Sequence, residues 1–480
     1  MVSSESKKGI FTHTLVYSFG NFLSRGLNFI LLPVYSHFIA PSDFGVYSVI
    51  ISVVTIASTI LNLGLPGIFV KNLSEVADAE QKRKFISNTI SGISVLSLPF
   101  LLLVIFYSKQ LSLIIIGDSQ YNIEIVLGVL SIYALNYSYY FSVFYVAEQN
   151  SKKYVLINSF AAIINFILNI ILIVLLNSGI NGIFISQILS SMFLIFLSGD
   201  VIKYFFRFEF DLKYLKPIMF SSLPLLLSGI CTIAVELIDR FIVLKFLGEE
   251  QAGVYSFGYR IALIYNLFIL SFKSAWIPHY FNLKEIDSEK KAEHLGRVFT
   301  KLIFLSSIAI LTILILTEII FSVKINSFRF FNPAYQPSRE FIIYVMLGYF
   351  FSLIMAFYSI APFEFNKTIH FFFADLIALI VNLVLNFTLI PVIGVKGAAI
   401  ATMIAFFSGA VYLSIYQHRK VKIRYELTKL LVILVISILA YIFISFYFNV
   451  FTALSLIASL IIIGIRLNMA GKNLNEILKF

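Results

Sequence analysis

Runs of about 20 apolar residues recur along this chain from Phe11 almost to its C-terminal end. A helix of that length, rising ~1.5 Å per residue, crosses the ~30 Å hydrocarbon layer of a bilayer. Hydropathy windows predict fourteen spans, near residues 11–38, 44–70, 85–107, 120–147, 154–176, 180–200, 217–246, 252–274, 298–322, 338–361, 370–391, 394–417, 427–448 and 449–466. The sequence therefore predicts an all-α polytopic membrane protein of about 14 transmembrane helices.

Composition and charge exclude several other classes of protein. The 480 residues are 59% hydrophobic and only 13% charged, and the net charge of +11 is scattered through short loops, which argues against nucleic-acid binding. The lone Cys231, six separate His residues and the absence of a phosphate-loop motif predict no metal, no cofactor and no catalytic residues. Lys7 and Lys8 precede a span without a cleavage site, so we expect a retained helix and no targeting peptide.

The positions of Lys and Arg predict the orientation of the spans. With the N-terminus placed in the cytoplasm, predicted cytoplasmic segments hold 27 of the 36 Lys and Arg residues, and outer loops hold six. The remaining three lie inside spans. This asymmetry follows the positive-inside rule and predicts that both termini are cytoplasmic.

Four short motifs recur in the same order in the two halves of the chain, at offsets between 208 and 217 residues. The pairs are Phe38–Ser48 with Phe246–Ser256, Glu148–Asn150 with Glu364–Asn366, Asn165-xxx-Asn169 with Asn382-xxx-Asn386, and Gly179-xx-Gly182 with Gly394-xx-Gly397. They predict two parallel six-helix repeats, because six is even and both copies then enter from the same side. The predicted domains are residues 1–205 and 206–418, followed by two extra C-terminal helices in 419–480.

Three stretches of this sequence resemble the polysaccharide transporter family. They are Leu32-Pro-x-Tyr35 followed by Asp43-Phe-Gly-Val-Tyr-Ser48, the Glu, Asn and Lys residues of 364–367, and Asn-xx-Leu-Asn-xxx-Ile-Pro-xx-Gly-xx-Gly-Ala-Ala-Ile-Ala-Thr at 382–402. That family includes the Wzx-type O-antigen and capsule repeat-unit flippases of the MOP (MATE-like) superfamily. The resemblance implies two lobes around a central cavity, alternating access, and a polyprenyl-diphosphate-linked oligosaccharide moved across the bacterial cytoplasmic membrane.

Such a cargo needs a cationic path, since an unpaired ion in hydrocarbon is very costly. Arg25 lies midway along the first span, where a lipid-facing charge costs at least ~2.5–3.5 kcal/mol, so we expect it to face the protein interior. Arg240 and Arg260 flank an outer link at a matched predicted depth, and guanidinium groups pair with phosphate in bidentate fashion. We therefore predict Arg25, Arg240 and Arg260 as substrate-binding residues.

Other interpretations of these residues stay open. Glu236 is spaced i, i+4 from Arg240 and Asp239 is adjacent to it, so an internal ion pair is the alternative role of Arg240. Glu236 or Asp239 are also candidates for coupling to a proton or sodium ion. Gly45, Gly253 and Gly397 are interpreted as packing positions. Four tyrosines are interpreted as interfacial rather than sugar-binding, namely Tyr137, Tyr139, Tyr140 and Tyr145.

Three competing functions remain. A multidrug and toxic-compound cation exporter of the same superfamily would need acidic residues in the first lobe, where the sequence instead has Arg25. A lipid II flippase has the same predicted helix count. A membrane polysaccharide polymerase or ligase would need catalytic residues on a large outer loop. The leading prediction is a non-enzymatic flippase whose partners are the lipid-linked oligosaccharide, membrane lipids and the polysaccharide polymerase and chain-length machinery.

Overall fold

The computed structural model describes residues 26–62, 65–76, 78–205, 207–281, 283, 287–325, 328–446 and 450–466. Arg25 lies outside these residues. The helices of the first half are α1 (26–38), α2 (Pro41–Leu61), α3 (Leu65–Glu75), α4 (Ala79–Phe106), α5 (Ser108–Ile115), α6 (Asn122–Ala147), α7 (Ser151–Asn169), α8 (Gly179–Leu197), α9 (Gly199–Phe205) and α10 (Leu212–Leu247). Those that follow are α11 (Glu249–Ala262), α12 (Asn266–Phe281), α13 (Ser288–Ser322), α14 (Ile342–Phe357), α15 (Ile360–Glu364), α16 (Ile369–Ile393), α17 (Val395–Lys420), α18 (Leu427–Phe446) and α19 (Val450–Arg466).

Several spans predicted as single helices are interrupted. The predicted span 44–70 divides into α2 and α3, and the second helix begins beside Pro66, a residue favoured in a first helical turn. A 3-10 turn at Leu263–Tyr265 separates α11 from α12, and a π-helical segment at Ile170–Leu175 ends α7. Further 3-10 segments lie at Ser119–Tyr121 and Pro333–Glu340. The strands β1 (Lys324–Ile325) and β2 (Phe328–Arg329) form a small antiparallel hairpin.

The all-helical membrane fold is confirmed. The described helices overlap all fourteen predicted spans. Among the described residues, eleven helices are long and apolar enough to cross a bilayer. The total of fourteen transmembrane helices stays a prediction.

The chain divides into a first unit, Met1–Ser256, and a second unit, Phe257–Phe480. In the first unit α6 packs against α2 and α8, α7 packs against α8, and α10 packs against α2. In the second unit α17 packs against α14 and α16, while α13 packs against α18 and α19. The domain boundaries expected near residues 205 and 418 stay predictions.

Two copies of the repeated Gly-Val-Tyr-Ser motif meet inside the first unit. A Cβ atom placed on Gly45 would lie 2.0 Å from the carbonyl oxygen of Glu249, and one on Gly253 would lie 1.8 Å from that of Pro41. One turn further along, the hydroxyl of Ser256 donates to that of Ser48 at 2.7 Å, so residues 208 positions apart touch each other. The interpretation of these glycines as packing positions is confirmed. The same holds for Gly397, whose Cβ would lie 2.6 Å from the carbonyl carbon of Leu389.

A carboxamide pair repeats in each unit at the positions that the sequence motif indicated. In the first unit the Nδ2 of Asn169 donates to Asn165 Oδ1 at 3.1 Å. In the second unit the Nδ2 of Asn386 donates to Asn382 Oδ1 at 2.8 Å. Because side chains four residues apart lie on the same face of a helix, the Asn-xxx-Asn spacing forms this contact locally in both copies.

A Lys–Glu ion pair also occurs in both units. Lys82 Nζ lies 2.6 Å from Glu148 Oε1 in the first unit, and Lys291 Nζ lies 3.7 Å from Glu364 Oε1 in the second. The lysines lie in the first turns of the long helices α4 and α13, and the glutamates lie at the ends of α6 and α15. Both glutamates belong to the repeated Glu-x-Asn motif. The sequence repeat is therefore a repeat of structure.

Asp200, at the start of α9 and just beyond the spanning helix α8, makes a pH-dependent contact at the ends of α6 and α7. Its two carboxylate oxygens accept hydrogen bonds from Tyr145 at 2.6 Å and from Lys153 at 2.7 Å. Partial burial would raise the pKa of Asp200, but the hydrogen bonds from Lys153 and Tyr145 outweigh it and lower that pKa below 3.8. The contact therefore stabilises the fold above the unfolded-state pKa, and the stabilisation is lost as the pH falls through the lowered value.

We expect Asp200→Asn to lower the thermal stability of the purified protein slightly at pH 7, by up to ~1 kcal/mol because the pair is partly exposed. The difference from wild type should shrink as the pH falls below about 4, measured by thermal unfolding in detergent. Glu209→Gln is the matched control, since Glu209 has no ion pair among the described residues. An equal loss at every pH would contradict this role of Asp200.

Candidate functional site

A cavity of about 770 Å³ lies within the first unit. Its wall is formed by side chains of α1, α2, α6, α7, α8 and α10. The volume falls within the ~300–1,000 Å³ range of small-molecule binding sites. The cavity is therefore large enough to hold an organic ligand among helices of membrane-spanning length.

On four of these helices the lining residues follow helical spacing, so one face of each helix lies toward the cavity. On α2 the lining residues are spaced i, i+3, i+4, i+7, and on α8 they repeat that spacing. On α7 they recur every three or four residues. The lining residues are Thr55, Ser58, Thr59 and Asn62 on α2; Tyr154, Asn158, Ala161, Ala162 and Asn165 on α7; and Gln187, Ser190, Ser191 and Leu194 on α8. α6 contributes Ile132, Leu135, Asn136, Ser138, Tyr139 and Ser142.

The wall combines apolar surface with many polar, uncharged side chains. Six carboxamide side chains and nine hydroxyl side chains line it, and none of its described lining residues is Asp, Glu, Lys, Arg or His. Small residues, among them Ala161, Ala162 and Gly229, leave the space between the helices. Carboxamides are costly on a lipid-facing surface, so a concentration of them on converging helix faces marks a functional site.

The cavity extends from the middle of its helices toward the ends of two of them. At ~1.5 Å per residue, Asn165 is about 21 Å from the start of α7, and Gln187 is about 12 Å from the start of α8. Tyr154, near the start of α7, and Asn62, directly after α2, line it as well. A ligand in this cavity would therefore reach from a helix end to the middle of the helices.

Most of the hydroxyl groups are satisfied by their own helix, whereas the carboxamides retain free hydrogen-bonding capacity. The hydroxyls of Ser58 and Thr59 both donate to the carbonyl of Thr55. The Nε2 of Gln187 donates to Ser191 at 3.1 Å, and the Nδ2 of Asn165 donates to Ser190 at 3.2 Å. Because each carboxamide has two N–H donors and a carbonyl oxygen, these bonds fix the side chains and leave further groups for a ligand.

The predicted cationic residues do not line this cavity, as far as the described residues show. Arg240 lies in α10 and is 6% exposed, with its Nη1 3.5 Å from Asp239 Oδ1. The same nitrogen donates to the backbone carbonyl of Glu236. Asp239 is fully buried and accepts a hydrogen bond from Tyr255. Arg240 therefore forms an ion pair with the adjacent Asp239 and also contacts the backbone of Glu236.

The remaining predicted residues have different environments. Glu236 is partly exposed on α10, and Arg260 is partly exposed in the last turn of α11. A substrate-binding role for Arg25, Arg240 and Arg260, and a coupling role for Glu236 and Asp239, stay predictions.

The tyrosines interpreted as interfacial separate into different roles. Tyr139 lines the cavity and is 41% exposed. Tyr140 is buried, Tyr145 donates to Asp200, and Tyr137 shares a 2.7 Å hydrogen bond with Ser94. Sequence reasoning missed the carboxamides of the cavity, although the polar residues Gln187, Ser190 and Ser191 at i, i+3 and i+4 of α8 were a visible signal.

A second depression, of about 830 Å³, lies at the helix ends of the first unit. Charged residues of both signs line it, among them Glu80, Arg83, Glu148, Asp200 and Lys203. Two of these carboxylates, on Glu148 and Asp200, already pair with lysines. This depression is thus a network of surface ion pairs, and the uncharged cavity is the better candidate for a ligand site.

The fold is similar to those of solved membrane transporters. A structure of the lipid II flippase MurJ in an inward closed conformation matches with a TM-score of 0.67 and 18% identity, covering 95% of this chain and 99% of that chain. An inward-facing multidrug resistance MATE transporter of the MOP superfamily matches with a TM-score of 0.60 and 14% identity, covering 82% and 94%. A MOP superfamily transporter from Pyrococcus furiosus matches with a TM-score of 0.59 and 14% identity, covering 86% and 95%.

These likenesses show a MOP-superfamily fold for the chain. The comparison with curated proteins gives no match. The sequence profile of the family described as "Polysaccharide biosynthesis protein" matches residues 10–284, which is more than half of the chain. The chain therefore belongs to the polysaccharide biosynthesis protein family.

Proposed function

We propose that this protein is a flippase that moves a polyprenyl-diphosphate-linked oligosaccharide from the cytoplasmic to the outer face of the bacterial cytoplasmic membrane by alternating access. The cargo is a surface polysaccharide repeat unit, as in O-antigen or capsule synthesis. The observation that carries the proposal is an uncharged, amide- and hydroxyl-lined cavity of about 770 Å³ in a membrane protein of the polysaccharide biosynthesis family. Such a cavity offers polar cargo the hydrogen bonds that the hydrocarbon layer lacks.

The diphosphate of this cargo needs a cationic partner, and we propose Arg25, Arg240 and Arg260 for that role. Arg25 lies outside the described residues and precedes the cavity-lining Asn28 by three positions in the sequence. For Arg240, binding a phosphate would mean exchanging its contact with Asp239 for one with the cargo. We propose that Asp239 takes up a proton or a sodium ion when Arg240 leaves this contact. This exchange gives the flippase a route for coupling transport to an ion gradient.

The composition of the cavity wall argues against a cation exporter. An exporter of organic cations needs carboxylates to attract its substrate, and the described lining residues include none. Glu124, the nearest acid in the sequence of α6, is held by the side chain of Asn181 at 3.1 Å and does not line the cavity.

A polymerase or ligase is disfavoured for a different reason. The described residues of the outer region that follows α13 are the β-hairpin and the 3-10 segment Pro333–Glu340. Arg339 of that segment is paired with Glu318. The family match and the similar folds are those of polysaccharide biosynthesis proteins and transporters.

The test is complementation followed by reconstitution. We expect the gene to restore surface polysaccharide in a bacterial strain that lacks its repeat-unit flippase, and the purified protein to move the lipid-linked repeat unit across liposome membranes. An imposed inside-negative potential should speed the export of a diphosphate, since each of its roughly two charges contributes ~2.3 kcal/mol per 100 mV. Movement of lipid II alone would instead assign the protein to peptidoglycan synthesis, and export of organic cations alone would refute the flippase.

A further inference from the structure

We propose that the uncharged cavity of the first unit is the subsite for the sugar portion of the cargo, and that it accepts only an uncharged sugar. This inference rests on the proposed flippase function and adds to it the chemical class of the glycan that is recognised. The diphosphate and the sugar would then be held by separate groups of residues.

The first support is the kind of hydrogen-bonding group in the wall. Each sugar hydroxyl both donates and accepts, and a carboxamide side chain offers both functions at a fixed spacing. Gln187 and Asn158 each donate from nitrogen to a neighbour, at 3.1 Å to Ser191 and 2.8 Å to the carbonyl of Tyr154. Their carboxamide oxygens accept no hydrogen bond from another described residue. Asn136 forms no side-chain hydrogen bond within the described part of the chain.

The second support is the absence of charge. No described lining residue carries a charge or an imidazole, so the described part of the wall offers a uronic acid or a phosphate no cation to pair with. Burying an unpaired ion costs far more than burying a hydroxyl that is hydrogen-bonded. The wall thus favours a neutral sugar and rejects an acidic one.

The third support comes from the duplicate of this helix pair in the second unit. There Asn382 and Asn386 are fully buried, and Asn382 donates to Thr402 at 3.3 Å. In the first unit Asn165 is partly exposed and lines the cavity. The same motif is therefore closed by packing in one repeat and open beside Ala162 and Ser191 in the other, where the second repeat has the larger Leu379 and Phe406. This difference indicates that the opening serves a ligand.

The test compares three lipids in liposomes that contain the purified full-length protein. One is a polyprenyl diphosphate carrying an uncharged disaccharide of the native repeat unit, the second carries a uronic acid in place of one sugar, and the third carries no sugar. The measured quantity is the flipping rate of the first lipid divided by that of the third. The variants are Gln187→Met, which is close to the original in volume, and Asn165→Leu, which keeps the branched shape of the side chain. Asn382→Leu, in the duplicate motif, is the control.

We expect Gln187→Met and Asn165→Leu each to lower this ratio about threefold to tenfold, the loss expected for one neutral hydrogen bond. Asn382→Leu should slow all lipids by one common factor and leave the ratio unchanged. Wild type should flip the uronic-acid lipid at least tenfold more slowly than the uncharged one.

Three other results would count against these ideas, and they are distinguishable. If the cavity variants keep the wild-type ratio, the sugar does not bind here. If wild type moves the acidic lipid as fast as the neutral one, the restriction to uncharged sugars is wrong. A wild-type protein that moves none of the three lipids refutes the proposed flippase itself. If Asn165→Leu fails to fold, Gln187→Met and the milder Ser191→Ala decide the question with the same ratio.

Discussion

Gly45→Ala and Gly253→Ala are each expected to prevent the first unit from packing correctly. The added methyl group would lie 2.0 Å from the Glu249 carbonyl oxygen in the first variant and 1.8 Å from the Pro41 carbonyl oxygen in the second. Both obstacles are backbone atoms of a neighbouring helix start, so no side chain can rotate away. Overpacking typically costs ~1–3 kcal/mol, and we expect the upper end or more because whole helices must separate.

The measurement is the yield of monodisperse protein and its thermal unfolding in detergent. Separation of the helices would also break the hydrogen bond between Ser48 and Ser256, which links the equivalent positions of the two motif copies. Gly199→Ala is the matched control, because a Cβ on Gly199 meets nothing within 4 Å. An unfolding temperature of wild-type value for Gly45→Ala would show that the close crossing is wrong.

The helices and the repeat could be predicted from the sequence because both are encoded locally. Apolar runs of membrane-spanning length set the spans, and the Asn-xxx-Asn spacing forms its own hydrogen bond within one helix. The interruptions were harder to predict, since membrane helices also tolerate proline and glycine without breaking. Pro99 lies inside the unbroken helix α4, whereas Pro66 lies in the first turn of a new helix, α3.

The candidate site was much less predictable, because it depends on how helices are rotated against one another. The stripe of Gln187, Ser190 and Ser191 is visible in the sequence, but its convergence with Asn158 and Asn165 requires the packing of α7 on α8. An anionic cargo also favours a prediction of arginines such as Arg240 as binding residues, and it gives no reason to single out neutral carboxamides.

Helical spacing alone is a poor guide to the ion partner of Arg240. Side chains at i and i+4 face each other and adjacent ones do not, which pointed to Glu236. In the structure Nη1 of Arg240 lies 3.5 Å from Oδ1 of Asp239, the adjacent acid that the sequence also offered, and it donates to the backbone carbonyl of Glu236. The long arginine side chain can therefore pair with a carboxylate on the adjacent residue.

Arg240→Met is expected to destabilise the protein by about 3–5 kcal/mol, because it removes a buried cation that lies 3.5 Å from the fully buried carboxylate of Asp239. The joint Arg240→Met, Asp239→Asn variant should recover most of that loss, since neither buried charge remains and the new carboxamide can still accept from Tyr255. Thermal unfolding of the purified variants measures both effects. Arg424→Met is the control, because Arg424 forms exposed ion pairs with Glu289 and Glu293 that are worth ~0–1 kcal/mol each.

The joint variant also separates the two roles of Arg240, because it folds without either charge. At matched amounts of folded protein we expect it to flip the lipid-linked repeat unit at least tenfold more slowly than wild type, since a bidentate partner of the diphosphate is lost. Its residual rate should no longer respond to a proton or sodium gradient, because the carboxylate that would take up the ion is absent. Flipping at the wild-type rate would mean that Arg240 only neutralises Asp239. The diphosphate would then have to be bound by Arg25 and Arg260, and single replacements of those residues would be the variants that abolish transport.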